Sequence, residues 1–212
     1  MYQRILTFAS VLLLASGLSL GSARAIQATD PAAAINDVVK QAISTMQSTQ
    51  GSDADREGEF RKLLTSGFDI PRISRFVLGR YWNGADDASR HTFSDLFENW
   101  IIRTYGSRFR EYGGQTIQVT STRPESDTTS VVMSQFINPN TKAPPAKVEW
   151  HVRKMGDNDY KIIDVSVEGV SMALTQRDEI AAVADRSGGT IEGLNKALQQ
   201  RLANGDTAPP AK

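Results

Sequence analysis

The 212-residue chain carries 24 basic and 24 acidic residues, a balance that gives no electrostatic reason to expect nucleic acid or a strongly anionic membrane surface as a partner. It contains no cysteine, which excludes disulfides and leaves a hydrophobic core as the source of stability. The length allows one compact domain with a core of useful size.

Arg4 precedes an apolar run from Ile5 to Leu20, and Ala23-Arg24-Ala25 has the small-x-small form of a cleavage site. Residues 1–25 are read as an export signal, with a mature chain beginning near Ile26 and a retained anchor as the alternative. The run is short for a bilayer span, and nothing after Ile26 approaches one. Without Arg4 and Arg24, 22 basic residues face 24 acidic ones, a net charge of −2. An exported domain without disulfides points to a bacterial periplasm.

Asp30-Pro31 opens a helix as cap followed by proline, and Ile35, Val38, Val39, Ala42 and Met46 recur at helical spacing to about Ser48. A second helix is predicted over roughly Asp55 to Leu64, with Phe60, Leu63 and Leu64 on its apolar side and Gly67 closing it. Asp69-Ile70-Pro71 repeats the start signal ahead of Ile73, Phe76, Val77 and Tyr81. Asp86 then caps the strongest helix, where Phe93, Leu96, Phe97, Trp100, Ile101, Tyr105 and Phe109 form one stripe.

Beyond Gly113-Gly114 the period becomes two. Ile117 and Val119 alternate with polar residues, Val131 to Ile137 is apolar on both faces in places, and Val148, Trp150 and Val152 alternate with charged neighbours. Gly156-Asp157-Asn158 is a turn leading into Tyr160 to Val167. There Ile163, Val165 and Val167 alternate with Asp164 and Ser166. Ser171 to Ala184 and Thr190 to Leu202 return to helix. Short connections between strands imply an antiparallel meander, and the whole reads as an α+β domain over residues 26–203. Residues 204–212 read as a small, polar, disordered tail.

Gly169-Val170-Ser171-Met172-Ala173 lies between a strand and a helix and is one residue from the nucleophile-elbow pattern. That pattern needs a histidine after the serine, and both histidines, His91 and His151, precede it. A helix cap is the better reading of Ser171. No metal-ligand spacing surrounds either histidine, and both read as solvated. Asp164 reads as an exposed or salt-bridged strand carboxylate, with a buried base of a cone-shaped isomerase as the alternative. No catalytic constellation, metal site or cofactor motif emerges. Arg72, Arg75 and Lys142 read as solvated surface charge, with contact to a partner as the other possibility. What the chain has in excess is apolar surface aimed inward.

Phe68-Asp69, Val77-Leu78-Gly79-x-Tyr81-Trp82, Phe93-x-x-x-Phe97, Thr104-Tyr105 and Val167-Glu168-Gly169-Val170-Ser171 occur in the order and at the spacing of the MlaC (toluene-tolerance) family. The chain resembles that family from about Val38 to Leu202. Asp86-Asp87 stands where a Thr/Ser-Pro often starts the long helix, which touches only its cap. The resemblance implies a four-stranded antiparallel curved sheet packed against several helices and enclosing an apolar cavity. It further implies a monomeric periplasmic phospholipid carrier that shuttles lipid between outer and inner membranes, without enzymatic activity or cofactor. The implied partners are an inner-membrane ABC lipid transporter with its substrate-binding subunit and an outer-membrane lipoprotein complex. A hopanoid-associated branch of the family is the alternative, and a cone-fold isomerase or hydrolase a more distant one. On this reading Val77, Tyr81, Phe97, Trp100, Tyr105, Trp150, Ile163, Val165, Val167 and Met172 contribute to the cavity wall.

Overall fold

The computed structural model describes residues 28–48, 52–106 and 112–206. The export-signal reading, Phe109 and the last six residues of the tail lie outside them. Four helices come first, α1 (Pro31–Ser48), α2 (Asp53–Gly67), α3 (Ile70–Leu78) and α4 (Asp87–Gly106), with a 3₁₀ turn at Gly79–Tyr81. Strands β1 (Thr116–Pro124), β2 (Thr129–Ile137), β3 (Ala146–Gly156), β4 (Asp159–Val167) and β5 (Val170–Ser171) follow, and α5 (Met172–Arg186) and α6 (Ile191–Asn204) close the fold. Among the described residues no helix is long and apolar enough to cross a membrane.

The helix starts are set by local chemistry. The first backbone N–H groups of a helix have no partner within it, and a short polar side chain supplies one. Asp30, Asp69 and Asp86 accept from Ala33, Arg72 and Ser89 in this way. Ser52 and Asp55 form a reciprocal capping box, so α2 begins at Asp53, two residues earlier than its apolar periodicity indicates. Gly205, at φ 83°, closes α6 through the carbonyls of Arg201 and Leu202, and the helix runs two residues past the predicted end.

The sheet is an antiparallel meander in the order β1-β2-β3-β4-β5. It has five strands where four were expected. The fifth is the pair Val170–Ser171, which folds back onto Val167 and Ser166. Glu168 and Gly169 at the turn have φ 50° and 81°, the left-handed pair that matches the twist of a two-residue hairpin. A glycine read as the end of a strand is therefore the second residue of a turn.

A second correction concerns β4. Val152 pairs with Ile162 and His151 with Asp164, so Ile163 is the extra residue of a β-bulge. Residues opposite one another share a face. The row Val148, Trp150 and Val152 thus continues into Val167, Val165 and Ile162, and the simple alternation of Ile163, Val165 and Val167 does not hold. Ile162 is the fully buried member.

Burial divides into clusters. In the first, Val132, Val148, Trp150, Val152 and Ile162 of the sheet pack under Ile35 and Val38 of α1 and Leu63 of α2. The second is helical: Val77 and Leu78 of α3, Phe93, Phe97 and Trp100 of α4, Ile180 and Val183 of α5, and Leu194 and Leu198 of α6. A smaller third one joins Phe60, Leu64, Ile70 and Ile102 across α2, α3 and α4. Burying each large side chain is worth about 1.5–3 kcal/mol, so sheet and helical layers each supply stability of their own. Arg61 clamps α2 to α4 through Glu98 at 2.5 Å and Asn99 at 2.7 Å.

Candidate functional site

Where the three clusters meet, the structure leaves an apolar pocket of about 210 Å³. Phe60 and Leu64 of α2, Ile70 and Ile73 of α3, and Phe97, Ile101 and Tyr105 of α4 form its helical wall. Phe68, in the link between α2 and α3, lies between wall and sheet, where it bridges Ile162 in parallel register. The Asp69 amide donates to the Ile162 carbonyl at 2.9 Å, and an Arg153–Asp69 ion pair at 3.6 Å fastens the same point. The α2–α3 link is thus stitched along β4, which sets one edge of the pocket. Ile163, Asp164 and Val165 of β4 and Met172, Ala173 and Gln176 of α5 complete the lining.

The β4–α5 corner is held by Asp164. Its Oδ1 accepts from the amides of Val165 at 2.8 Å and Ala173 at 2.9 Å, and its Oδ2 accepts from the Ser171 hydroxyl at 2.5 Å. The same hydroxyl accepts from the Leu174 amide at 3.0 Å. A carboxylate at the positive end of a helix is favoured electrostatically as well as by its hydrogen bonds. Both oxygens of Asp164 are engaged and the residue is half-buried, so it is not an exposed strand carboxylate: it anchors α5 against the sheet. Ser171 is the helix cap that its sequence context predicts.

The other polar member of the lining is Gln176, which is buried. Its Nε2 donates to Glu179 at 3.2 Å and to the Tyr105 hydroxyl at 3.4 Å. Apart from Asp164, Gln176 and the Tyr105 hydroxyl, the lining side chains offer no hydrogen-bonding group. Such a surface sorts ligands by apolar area. Among the described residues no group of three or more His, Asp or Glu is placed to hold a metal ion. His91 is exposed, with Nδ1 2.8 Å from the Asp87 carbonyl, whereas His151 is half-buried with Nδ1 3.2 Å from Glu125 and so is not simply solvated.

Of the ten side chains assigned to a cavity wall from sequence, Phe97, Tyr105, Ile163, Val165 and Met172 come together around this pocket. The other five lie elsewhere. Val77 and Trp100 fill the helical cluster. Trp150 belongs to the layer under α1, its Nε1 donating to Ser134 Oγ at 2.9 Å. Tyr81 turns its hydroxyl to Asp185 at 2.6 Å, in a surface cluster with Arg80. Val167 is 40 % exposed. The lining residues that sequence reasoning did not assign to the wall include Phe60, Leu64, Ile70, Ile73 and Ile101. Each stands on an apolar helical face in the sequence, but the choice of facing partner is tertiary.

Helices packed on one antiparallel sheet, with an apolar pocket between them, define an α+β protein whose site is shaped for an apolar ligand. The MlaC protein family model matches residues 36–200. The chain belongs to that family. Among solved structures it is similar to a phospholipid-binding protein from Ralstonia solanacearum determined in complex with a phospholipid. The TM-score is 0.72 at 23 % identity, over 83 % of this chain and 98 % of the other. That likeness establishes the shared fold. No curated protein gives a match.

Proposed function

We propose that this protein is a periplasmic phospholipid carrier, exported with cleavage near Ala25 and working as a monomer. The observation that carries the reading is the pocket at the junction of sheet and helices, apolar along nearly all its lining, in a chain of the MlaC family. The phospholipid held by the Ralstonia protein of the same fold supports it.

Exposing acyl chains to water costs about 0.8 kcal/mol per CH₂, so two long chains cost on the order of 20 kcal/mol. A carrier that replaces bilayer hydrocarbon with an equally apolar interior makes extraction close to neutral, and needs no covalent step. At about 210 Å³ the pocket is smaller than the roughly 300–1,000 Å³ of sites that bury a drug-sized ligand. Seating acyl chains therefore widens it. Direction of transfer is set by the partners at each end, an inner-membrane ABC lipid transporter with its substrate-binding subunit and an outer-membrane lipoprotein complex.

The test is native mass spectrometry with lipid extraction on the mature protein purified from its own host. Phospholipid in stoichiometric amount is the expected result. A hopanoid or another apolar lipid in its place moves the protein to another ligand class, and an empty or polar-ligand-bound protein overturns the carrier reading.

A further inference from the structure

We propose that the outer face of α3 and the first turns of α5 form a docking surface for an anionic lipid bilayer. Phe76 on α3 is 42 % exposed and Leu174 on α5 is 50 % exposed, two large apolar side chains open to solvent. The Arg177 guanidinium lies 5.1 Å from the centre of the Phe76 ring. It also stands three residues after Leu174, so the two apolar side chains share one surface with it. Arg72 precedes Phe76 by four residues on the same side of α3, and Arg75 adjoins it with its guanidinium 5.8 Å from the Trp82 ring.

Arg72, Arg75 and Arg177 have no carboxylate partner among the described residues. Arg80 nearby is paired with Asp185, and Asp178, exposed one turn past Leu174, is the opposing charge on this part of α5. A surplus of arginine remains around the apolar pair. A bilayer interface suits this arrangement, because the hydrocarbon side chains enter below the headgroups while guanidinium groups bind phosphate oxygens with paired hydrogen bonds. Each such arginine near an anionic surface strengthens partitioning about fivefold.

The docking stands on exposure and charge alone. Its use rests on the carrier reading: the same two helices wall the pocket with Ile73 and Met172, so seating them on a membrane brings the pocket to the lipid.

Co-sedimentation of the mature protein with vesicles tests the proposal, using phosphatidylcholine alone and phosphatidylcholine mixed with phosphatidylglycerol. The protein is expected to bind the mixed vesicles, with binding that falls as salt screens the charges. Arg72→Gln with Arg75→Gln weakens that binding about twenty-five-fold. Phe76→Ser, or Leu174→Ser should the first disturb folding, also weakens it. Equal binding to both vesicles, or undiminished binding by the double variant, overturns the proposal. So does failure to bind vesicles when an acidic protein is bound through the same residues. Lipid extraction separates the two readings: a phospholipid-loaded protein that ignores vesicles removes only the docking, and an empty protein that binds them removes only the carrier.

Discussion

The Ser171 hydroxyl donates to Asp164 Oδ2 at 2.5 Å, joining the first cap of α5 to the middle of β4 across seven residues of chain. Because Asp164 also takes the Val165 and Ala173 amides, one carboxylate fixes the angle at which α5 leaves the sheet. That angle places Met172 and Ala173 beside Ile163 and Val165 in the pocket wall.

Asp164→Asn tests this anchor. The amide has one acceptor oxygen in place of two and cannot serve all three donors, and hydrogen bonds to a charged group are worth about 1.5–3 kcal/mol. A loss of about 1–3 kcal/mol is expected, read as a lower urea midpoint with unchanged slope. Bound lipid should still be recovered, since the carboxylate is a support and not a reacting group. A loss of lipid without a loss of stability would contradict the anchor role.

The pocket and the cores respond differently to substitution. Ile101 and Met172 are half-buried and line the pocket, so Ile101→Gln or Met172→Gln should cut copurifying lipid several-fold while circular dichroism stays native. Val77 is buried in the helical cluster away from the pocket. Val77→Ala should lower stability by about 1–3 kcal/mol through lost transfer energy and a cavity, with lipid content unchanged. Equal lipid loss from both kinds of variant would erase the distinction between core and wall.

Ser134 lies within the sheet and takes the Trp150 indole N–H at 2.9 Å while donating to the Val148 carbonyl at 3.2 Å. Ser134→Ala removes the acceptor that the buried Trp150 N–H uses, and such an orphan costs about 1–3 kcal/mol. Thermal denaturation should show a lower Tm, and Trp150→Phe in the Ser134→Ala background should recover part of the loss. An unchanged Tm for Ser134→Ala would count against a dry site under α1.

Glu179 has its carboxyl pushed above the ordinary glutamate value by burial, against the opposing effects of the Gln176 amide and Arg201. The folded state therefore holds this proton more firmly than the unfolded one, and stability from this group falls as pH rises from the ordinary value through the raised one. Glu179→Gln should be more stable than the parent at neutral pH, with the difference vanishing below the ordinary glutamate range. Asp185 has the opposite sign. The Tyr81 hydroxyl, with Arg80, holds its carboxyl below the usual range. Its contribution is present above the ordinary aspartate value and is lost as pH falls through that value towards the lowered one. Asp185→Asn should flatten the acid side of the stability profile. Denaturant midpoints measured across pH read both.

Much of the fold is legible because it depends on near neighbours. Caps at Asp30, Asp69, Asp86 and Ser171 bind amides three residues away, and periods of 3.6 and 2 record which side of an element meets apolar surroundings. The second residue of a hairpin turn is less legible, since Gly169 ends a strand or reverses one depending on whether Val170 finds Val167. The bulge at Ile163 leaves no trace in the alternation, because it is a property of the pairing with β3.

By itself, then, the sequence determined the order of the six helices and the first four strands, the helix caps, the α+β class and the family motifs, all set by local preference and ordered spacing. Only the tertiary structure decided which apolar faces fill one another and which leave room. Phe97 and Trp100 are three residues apart on one helical stripe, yet Phe97 reaches the pocket and Trp100 does not. Charge follows the same rule. A near-zero total says nothing of where the arginines gather, and Arg177 meets Phe76 only because α3 packs against α5. Burial and field are sums over neighbours in space, and those neighbours are chosen by the packing of the whole chain.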